Sequence, residues 1–228
     1  MCLACRTRDV EELRRGGVCA SCWTALPALD PGRCRRCGET LPGRADSRAA
    51  CGRCLLDPPA FERLEGAAPY GGSARPILLA FKFEGADFLG ARMAEVMTRR
   101  LAAPDVLEVA AVPATPRARR ERGYHPAAVL AAEVARRLGR PFAPGRLRKV
   151  RETEKQSRVP AAGRAANVRR AFAVEGAAPR QVLLVDDVVT SGATARECAG
   201  RLAAAGAESV IVWCFARASR ADRIDDPA

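Results

Sequence analysis

Residues 182–194 read Val-Leu-Leu-Val-Asp-Asp-Val-Val-Thr-Ser-Gly-Ala-Thr. Two adjacent carboxylates, Asp186 and Asp187, can accept hydrogen bonds from vicinal hydroxyls such as O2′ and O3′ of a ribose. Directly after them, Thr190, Ser191, Gly192, Ala193 and Thr194 bring hydroxyls, a flexible glycine and side chains small enough to let the backbone approach a ligand. A helical pattern follows from Ala195, so the free N–H groups of a helix N-terminus complete a cradle for phosphate. Carboxylates for hydroxyls beside a phosphate cradle describe a ribose 5-phosphate. Without a ligand, the same residues read as a strand-turn-helix capped by Thr190 or Ser191, with two solvated acids at the strand end.

Eight of the ten cysteines lie before Leu55, spaced Cys2-x2-Cys5-x13-Cys19-x2-Cys22 and again Cys34-x2-Cys37-x13-Cys51-x2-Cys54. Each of the first four thus recurs 32 positions later, an internal duplication. A pair separated by two residues forms a knuckle that turns two thiolates toward one ion, and two knuckles complete a tetrahedral zinc site. The unit predicts one structural Zn2+ on Cys2, Cys5, Cys19 and Cys22, and a second on Cys34, Cys37, Cys51 and Cys54. With four thiolates each, neither site keeps a position for water or substrate. Disulfides and ligand sets crossed between the repeats are the alternatives. Cys198 and Cys214 stand apart and read as small buried hydrophobes.

The segment 182–194 resembles the signature of type I phosphoribosyltransferases for 5-phosphoribosyl-1-pyrophosphate (PRPP). The resemblance implies that Asp186 and Asp187 contact the ribose and act in catalysis, while residues 190–194 hold the 5-phosphate. A second loop should then take the pyrophosphate together with Mg2+. Val112-Pro113-Ala114-Thr115-Pro116-Arg117 is placed for it, with backbone amides near Ala114 and Thr115 and the Arg122 side chain behind them. The stretch 151–168, with Lys155, Gln156 and Arg158, falls where such enzymes carry a loop that closes over the site, and Lys155 is its candidate contact. Closure would exclude water from a centre that develops oxocarbenium character.

The elements that must position these residues are legible in outline. Asp57-Pro58-Pro59-Ala60 breaks regular structure and divides the chain into residues 1–57 and 58–228. Beyond it, short apolar runs alternate with amphipathic Ala/Leu/Arg stretches, the pattern of an α/β domain with a mainly parallel sheet flanked by helices. The pattern predicts helices near 75–83 and over 88–102, 126–138 and 193–205, and strands over 106–112, 146–150, 181–185 and 208–215. The whole chain resembles the ComF family, a double zinc ribbon followed by a type I phosphoribosyltransferase fold. Lys82-Phe83-Glu84-Gly85, the Arg-Glu-Arg-Gly-Tyr run at 120–124, and Thr153, Gln156, Arg164, Asn167 and Val168 carry that resemblance. The family continues the Arg-Gly-aromatic run with Asn-Gln, where this chain has His125-Pro126. His125, the sole histidine, either titrates usefully or packs at a helix start.

The net charge is +12, and 115–170 alone contains sixteen Lys or Arg against four Asp or Glu. The remainder is balanced, so the excess is local. Of the 38 basic residues 35 are Arg, whose planar fork suits phosphate oxygens. No apolar run reaches the roughly 18 to 20 residues of a membrane helix, and Met1-Cys2-Leu3-Ala4-Cys5 is no secretory signal, so a cytoplasmic protein without a membrane span is expected. Three functions remain open. The ComF resemblance implies a competence protein that handles single-stranded DNA with DNA-uptake partners. The signature allows a working phosphoribosyltransferase with an unidentified nitrogen acceptor, or a non-catalytic PRPP sensor. Against single-strand binding, only Tyr124 and Phe142 in the basic segment could stack on a base.

Overall fold

The computed structural model describes residues 1–7, 17–41, 43, 49–151 and 170–219. Its centre is strand β5 (Gln181–Val189), in which Val182, Leu183, Leu184 and Val185 are all fully buried. A strand so apolar on both faces has to lie between two layers of helices. Around it, β1 (Arg63–Pro69), β6 (Ser209–Arg217), β5 and β2 (Glu108–Ala111) form a four-stranded sheet in the order β1-β6-β5-β2, with every neighbouring pair parallel.

Strand alternation divides the core in two. Leu183, Val185, Ile211, Trp213 and Phe215 face the layer of helices α3 (Ala74–Phe83), α4 (Leu89–Arg100) and α6 (Pro126–Leu138). Val182, Leu184, Val210, Val212 and Cys214 face helix α7 (Ala193–Ala204) and the antiparallel pair β3 (Leu147–Lys149) and β4 (Phe172–Val174). Cys198 and Cys214 are buried there, in keeping with their reading as small hydrophobes. Helices α1 (Ala20–Thr24) and α2 (Gly52–Leu56) are single turns at the second cysteine pair of each repeat.

The expected helices and strands are present; the short β4 and the single turns α1 and α2 add to them, and three further differences have a clear physical reason. Strand β5 runs four residues further than its apolar run, through both aspartates to Val189, because β6 continues to pair with it there. Strand β1 was not anticipated; its Leu-Glu-Gly-Ala-Ala core is apolar too weakly to read as a strand, and pairing with β6 makes it one. Helix α5 (Pro116–Arg122) was not anticipated either, since it buries no residue and so shows no apolar periodicity. Its signal lay in its ends. Thr115 caps it by accepting from the Ala118 N–H at 2.9 Å, Pro116 opens it, and Gly123 closes it in the left-handed region at φ 77°.

Candidate functional site

The carboxyl ends of β2 and β5 and the starts of α5 and α7 converge at one edge of the sheet, where open α/β sheets take ligands. The two aspartates are adjacent in sequence but divide between the faces, since β5 is still a strand where they occur. Asp187 is buried and meets the ammonium of Lys82, which reaches it from the last turn of α3 at 3.5 Å. Asp186 lies on the α7 side; it accepts the Asp187 N–H at 2.9 Å, and Asp187 accepts the Val188 N–H at 2.7 Å. Burial, and then the neighbouring Asp187 charge, push the Asp186 carboxyl well above the usual carboxylate range. Lys82 opposes that shift but faces two carboxylates with one charge.

Gly192 turns the chain into α7 at φ 73°, a left-handed conformation that costs glycine little. Ser191 Oγ lies 3.3 Å from the Ala193 N–H. Thr190, Ser191, Gly192, Ala193 and Thr194 therefore form a tight turn at the positive end of a 12-residue helix. Behind the turn, the Arg53 guanidinium of the second cysteine repeat donates to the Ser191 carbonyl at 2.8 Å. Arg217, buried at the end of β6, donates to the Val189 carbonyl at 3.2 Å and also to that of Thr190.

Across the cleft, the β2–α5 turn is organised by His125. Its Nε2 lies 3.1 Å from the Ala114 nitrogen and 3.0 Å from the Val112 carbonyl, so it accepts from the first in one tautomer and donates to the second in the other. Burial lowers the His125 pKa below 6.5 and favours the neutral ring. His125 directly precedes α6, at the helix start, and its ring also holds the loop before α5. Arg122 stacks its guanidinium 5.0 Å from the Phe83 ring, and Tyr124 packs edge-on against Phe81 at 5.9 Å. The Tyr124 hydroxyl is buried with no hydrogen-bond partner among the described residues. Burial and the charges of Asp87 and Asp187 push its pKa up to about 12, which keeps it a donor.

Lys155, with Thr153, Gln156, Arg158, Arg164, Asn167 and Val168, lies outside the described residues. The chain leaves toward them and returns side by side, since Val150 and Ala171 pair by a 2.8 Å backbone hydrogen bond. Arg170, on the return, donates its N–H to Glu197 in the first turns of α7.

Both four-cysteine sets close in space as the duplication predicts. In each, the four sulfurs lie within 4.8 Å of one another, the compactness that a single ion requires. Backbone amides support the thiolates: Ala4 and Cys19 N–H point at Cys2 Sγ at 3.4 and 3.3 Å, and Cys51 N–H points at Cys34 Sγ at 3.2 Å. Burial raises these two thiols, but the amides of Cys19, Cys5 and Ala4 bring Cys2 down to about 6, and those of Cys37, Cys51 and Arg36 bring Cys34 to about 7. The residues fit a thiophilic ion such as zinc.

Sequence reasoning missed Lys82 as a site residue, together with the arginines behind the turn at 190–194. Lys82 was visible only as part of a family motif. Arg53 lies inside a cysteine knuckle and Arg217 ends an apolar strand, places that signal no ligand site.

Residues 126–227 match the phosphoribosyl transferase domain. The DNA utilization protein YhgH of Escherichia coli (strain K12) is 30% identical over 227 residues, covering 95% of this chain and 96% of that protein. Competence protein F of Haemophilus influenzae (strain ATCC 51907 / DSM 11121 / KW20 / Rd) is 27% identical over 230 residues, with the same coverage. Among solved structures, glutamine PRPP amidotransferase from B. subtilis complexed with ADP and GMP is 24% identical, with a TM-score of 0.37 over 57% of this chain and 26% of that one.

Proposed function

Because the chain belongs to the ComF family, that of the DNA utilization protein YhgH and competence protein F, we propose that it is a PRPP-binding protein acting in DNA uptake. One observation carries the ligand reading: two carboxylates end a buried strand directly beside a left-handed glycine that opens a helix. In this reading Asp186 and Asp187 take the ribose hydroxyls, and 190–194 take the 5-phosphate. Ala114, Thr115 and Arg122 take the pyrophosphate with Mg2+. Lys155, outside the described residues, is the further proposed contact.

Residues 1–57 form a double zinc ribbon and 58–228 the phosphoribosyltransferase-like domain. Both zincs are structural, since every coordination position is filled by thiolate. Among the described residues no helix is long and apolar enough to cross a membrane, and the proposed place of action is the cytoplasm. The DNA reading draws on the relatives' names and on the basic segment, whose exposed Arg119 and Arg120 stand on α5 next to the pyrophosphate turn. Single-stranded DNA is the proposed polyanion.

The test is a titration of the protein with PRPP and Mg2+, with Asp187→Asn beside the wild type, and with single-stranded DNA at two salt concentrations. Micromolar PRPP binding lost in Asp187→Asn, and DNA binding that weakens steeply with salt, are the expected results. No PRPP binding overturns the ligand reading, and no DNA binding at low salt overturns the DNA reading. Acceptor-dependent pyrophosphate release across a panel of bases and amines would identify an active transferase.

A further inference from the structure

A turn that aims its N–H groups at a phosphate must aim its carbonyls the other way, into the protein. There each needs a donor, because a buried carbonyl without one costs free energy comparable to a lost hydrogen bond. In this chain the donors come from arginines anchored on the second four-cysteine cluster. Arg53 lies between Cys51 and Cys54, inside one knuckle, and donates to the Ser191 carbonyl at 2.8 Å. Arg217 donates to Val189 and Thr190 with one edge of its guanidinium. Its Nε donates to the carbonyl of Cys37, which closes the other knuckle, at 3.1 Å, and its remaining nitrogen holds Glu39 at 3.0 Å. A third arginine, Arg196 in the first turn of α7, reaches Cys54 Sγ at 3.3 Å and the Asp57 carbonyl at 2.8 Å. Both knuckles are thus wired to the phosphate turn. Gly66 makes room for this, since a Cβ there would sit 2.8 Å from Arg217 Cβ.

The first cluster has no such connection among the described residues. At the position matching Arg53 the first repeat has Ser21, and the arginine that reaches its end, Arg100 of α4, donates to the carbonyls of Leu26, Pro27 and Ala67, away from residues 189–194. The two repeats match in cysteine spacing but differ in what they hold.

We propose that Arg53 and Arg217 are positioning residues for the phosphate turn, through which metal in the second four-cysteine site, and not in the first, sets affinity for the 5-phosphate. The inference rests on the ribose 5-phosphate reading of residues 186–194. A metal bound by Cys34, Cys37, Cys51 and Cys54 would hold the two knuckles in one geometry, and with it the Cys37 carbonyl and the stem of Arg53; without it the knuckles would be free to separate and the donors to withdraw from the turn. The contact of Arg196 with Cys54 Sγ ties the start of α7 to the same thiolate site.

The experiment uses the full-length metal-loaded protein. Ribose 5-phosphate and inorganic pyrophosphate are titrated separately into wild type, Arg53→Met, Arg217→Lys and, as the matched control, Arg100→Met. Zinc content and amide hydrogen exchange of 189–194 are measured on each. Arg53→Met, which loses one partly exposed contact and keeps the fold, is expected to bind ribose 5-phosphate about tenfold more weakly, the loss for one charged hydrogen bond. Pyrophosphate affinity stays unchanged, the zinc content stays at the wild-type value, and exchange accelerates within 189–194 alone. Arg217→Lys, which keeps the charge without the fork, shows the same pattern more strongly. Equal losses for both ligands, or exchange rising throughout the molecule, would mean general destabilisation and overturn the proposal. Wild-type affinity and exchange in Arg53→Met would also overturn it. A wild type that binds neither ribose 5-phosphate nor PRPP sinks the ligand reading itself, while the exchange data still decide whether the arginines hold the turn.

Discussion

His125 stands where the family carries asparagine, and its ring sits between the Ala114 N–H and the Val112 carbonyl. Asparagine offers one fixed donor and one fixed acceptor; a neutral imidazole offers the same pair only on two different nitrogens. The substitution therefore makes the β2–α5 turn sensitive to protonation. Burial lowers the folded-state pKa below 6.5, so beneath that pH the unfolded chain binds more protons than the folded one. Stability is complete above about 6.5 and is lost as pH falls toward the lowered value. Asp186, with a raised pKa, acts in the opposite sense, favouring the fold as pH falls. The histidine part is isolated by comparing wild type with His125→Asn: between about pH 7.5 and about 5.5, the melting temperature should fall less in the variant. Equal falls would remove His125 from the pH response. Lys82 and Asp187 make the second case at this scale. Lys82→Met leaves a buried carboxylate unpaired and should cost about 3 kcal/mol in denaturant unfolding. Adding Asp187→Asn should recover most of that loss, and strict additivity in this double-mutant cycle would deny the pair.

Among the elements, the helix layer that carries Lys82 to the site depends on a close approach between α4 and α6. A Cβ on Gly90 would lie 2.6 Å from Cγ1 of Val129, a branched side chain with little rotamer freedom. Gly90→Ala should therefore destabilise the protein by about 1 to 3 kcal/mol, although alanine is the better helix former, and thermal unfolding reads this directly. An unchanged or raised melting temperature would show that the layers can separate at no cost. Helix α5 teaches the converse. Its seven residues bury nothing, so its ends matter most: beside the Arg117–Glu121 pair and the Arg122 stack on Phe83, the Thr115 and Gly123 caps define it, and these caps were present in the sequence for a helix with no apolar stripe to announce it. Thr115→Ala should fray α5 and weaken pyrophosphate binding while leaving global stability within about 1 kcal/mol. Strand β1 was hidden for a different reason: its alternation is weak, and neighbours across the sheet decide its conformation.

For the whole molecule, small zinc modules draw most of their folding energy from the metal, so the duplication by itself predicts that chelation unfolds the first 55 or so residues and spares the α/β domain. The packing changes that expectation. Val18, Cys19, Cys22, Trp23 and Leu26 belong to one apolar cluster with Ile77, Phe81, Met93 and Trp213, so the first repeat covers the helix layer of the sheet. On the other side Leu64 of β1 donates its N–H to Arg36, and the second repeat covers the sheet edge. Metal removal should accordingly lower the melting temperature of the α/β domain as well, in a single transition, with metal analysis giving two zincs per chain beforehand. Two transitions, the α/β one unmoved, would restore the picture of independent parts.

From the sequence by itself came the identities at the site: the paired acids, the phosphate turn, the eight thiolates in two sets and the parallel sheet that carries them. These are local, since spacing within a few residues dictates what a knuckle, a strand end or a helix start can bind. Only the tertiary structure decided that β5 continues through its acids and sends Asp187 toward Lys82 and Asp186 toward α7. It also decided that the second thiolate set, and not the first, stands behind the turn at 190–194. The Lys82–Asp187, Arg53–Ser191 and Cys37–Arg217 contacts join residues more than one hundred positions apart, and such contacts are set by how layers pack, which no spacing along the chain encodes.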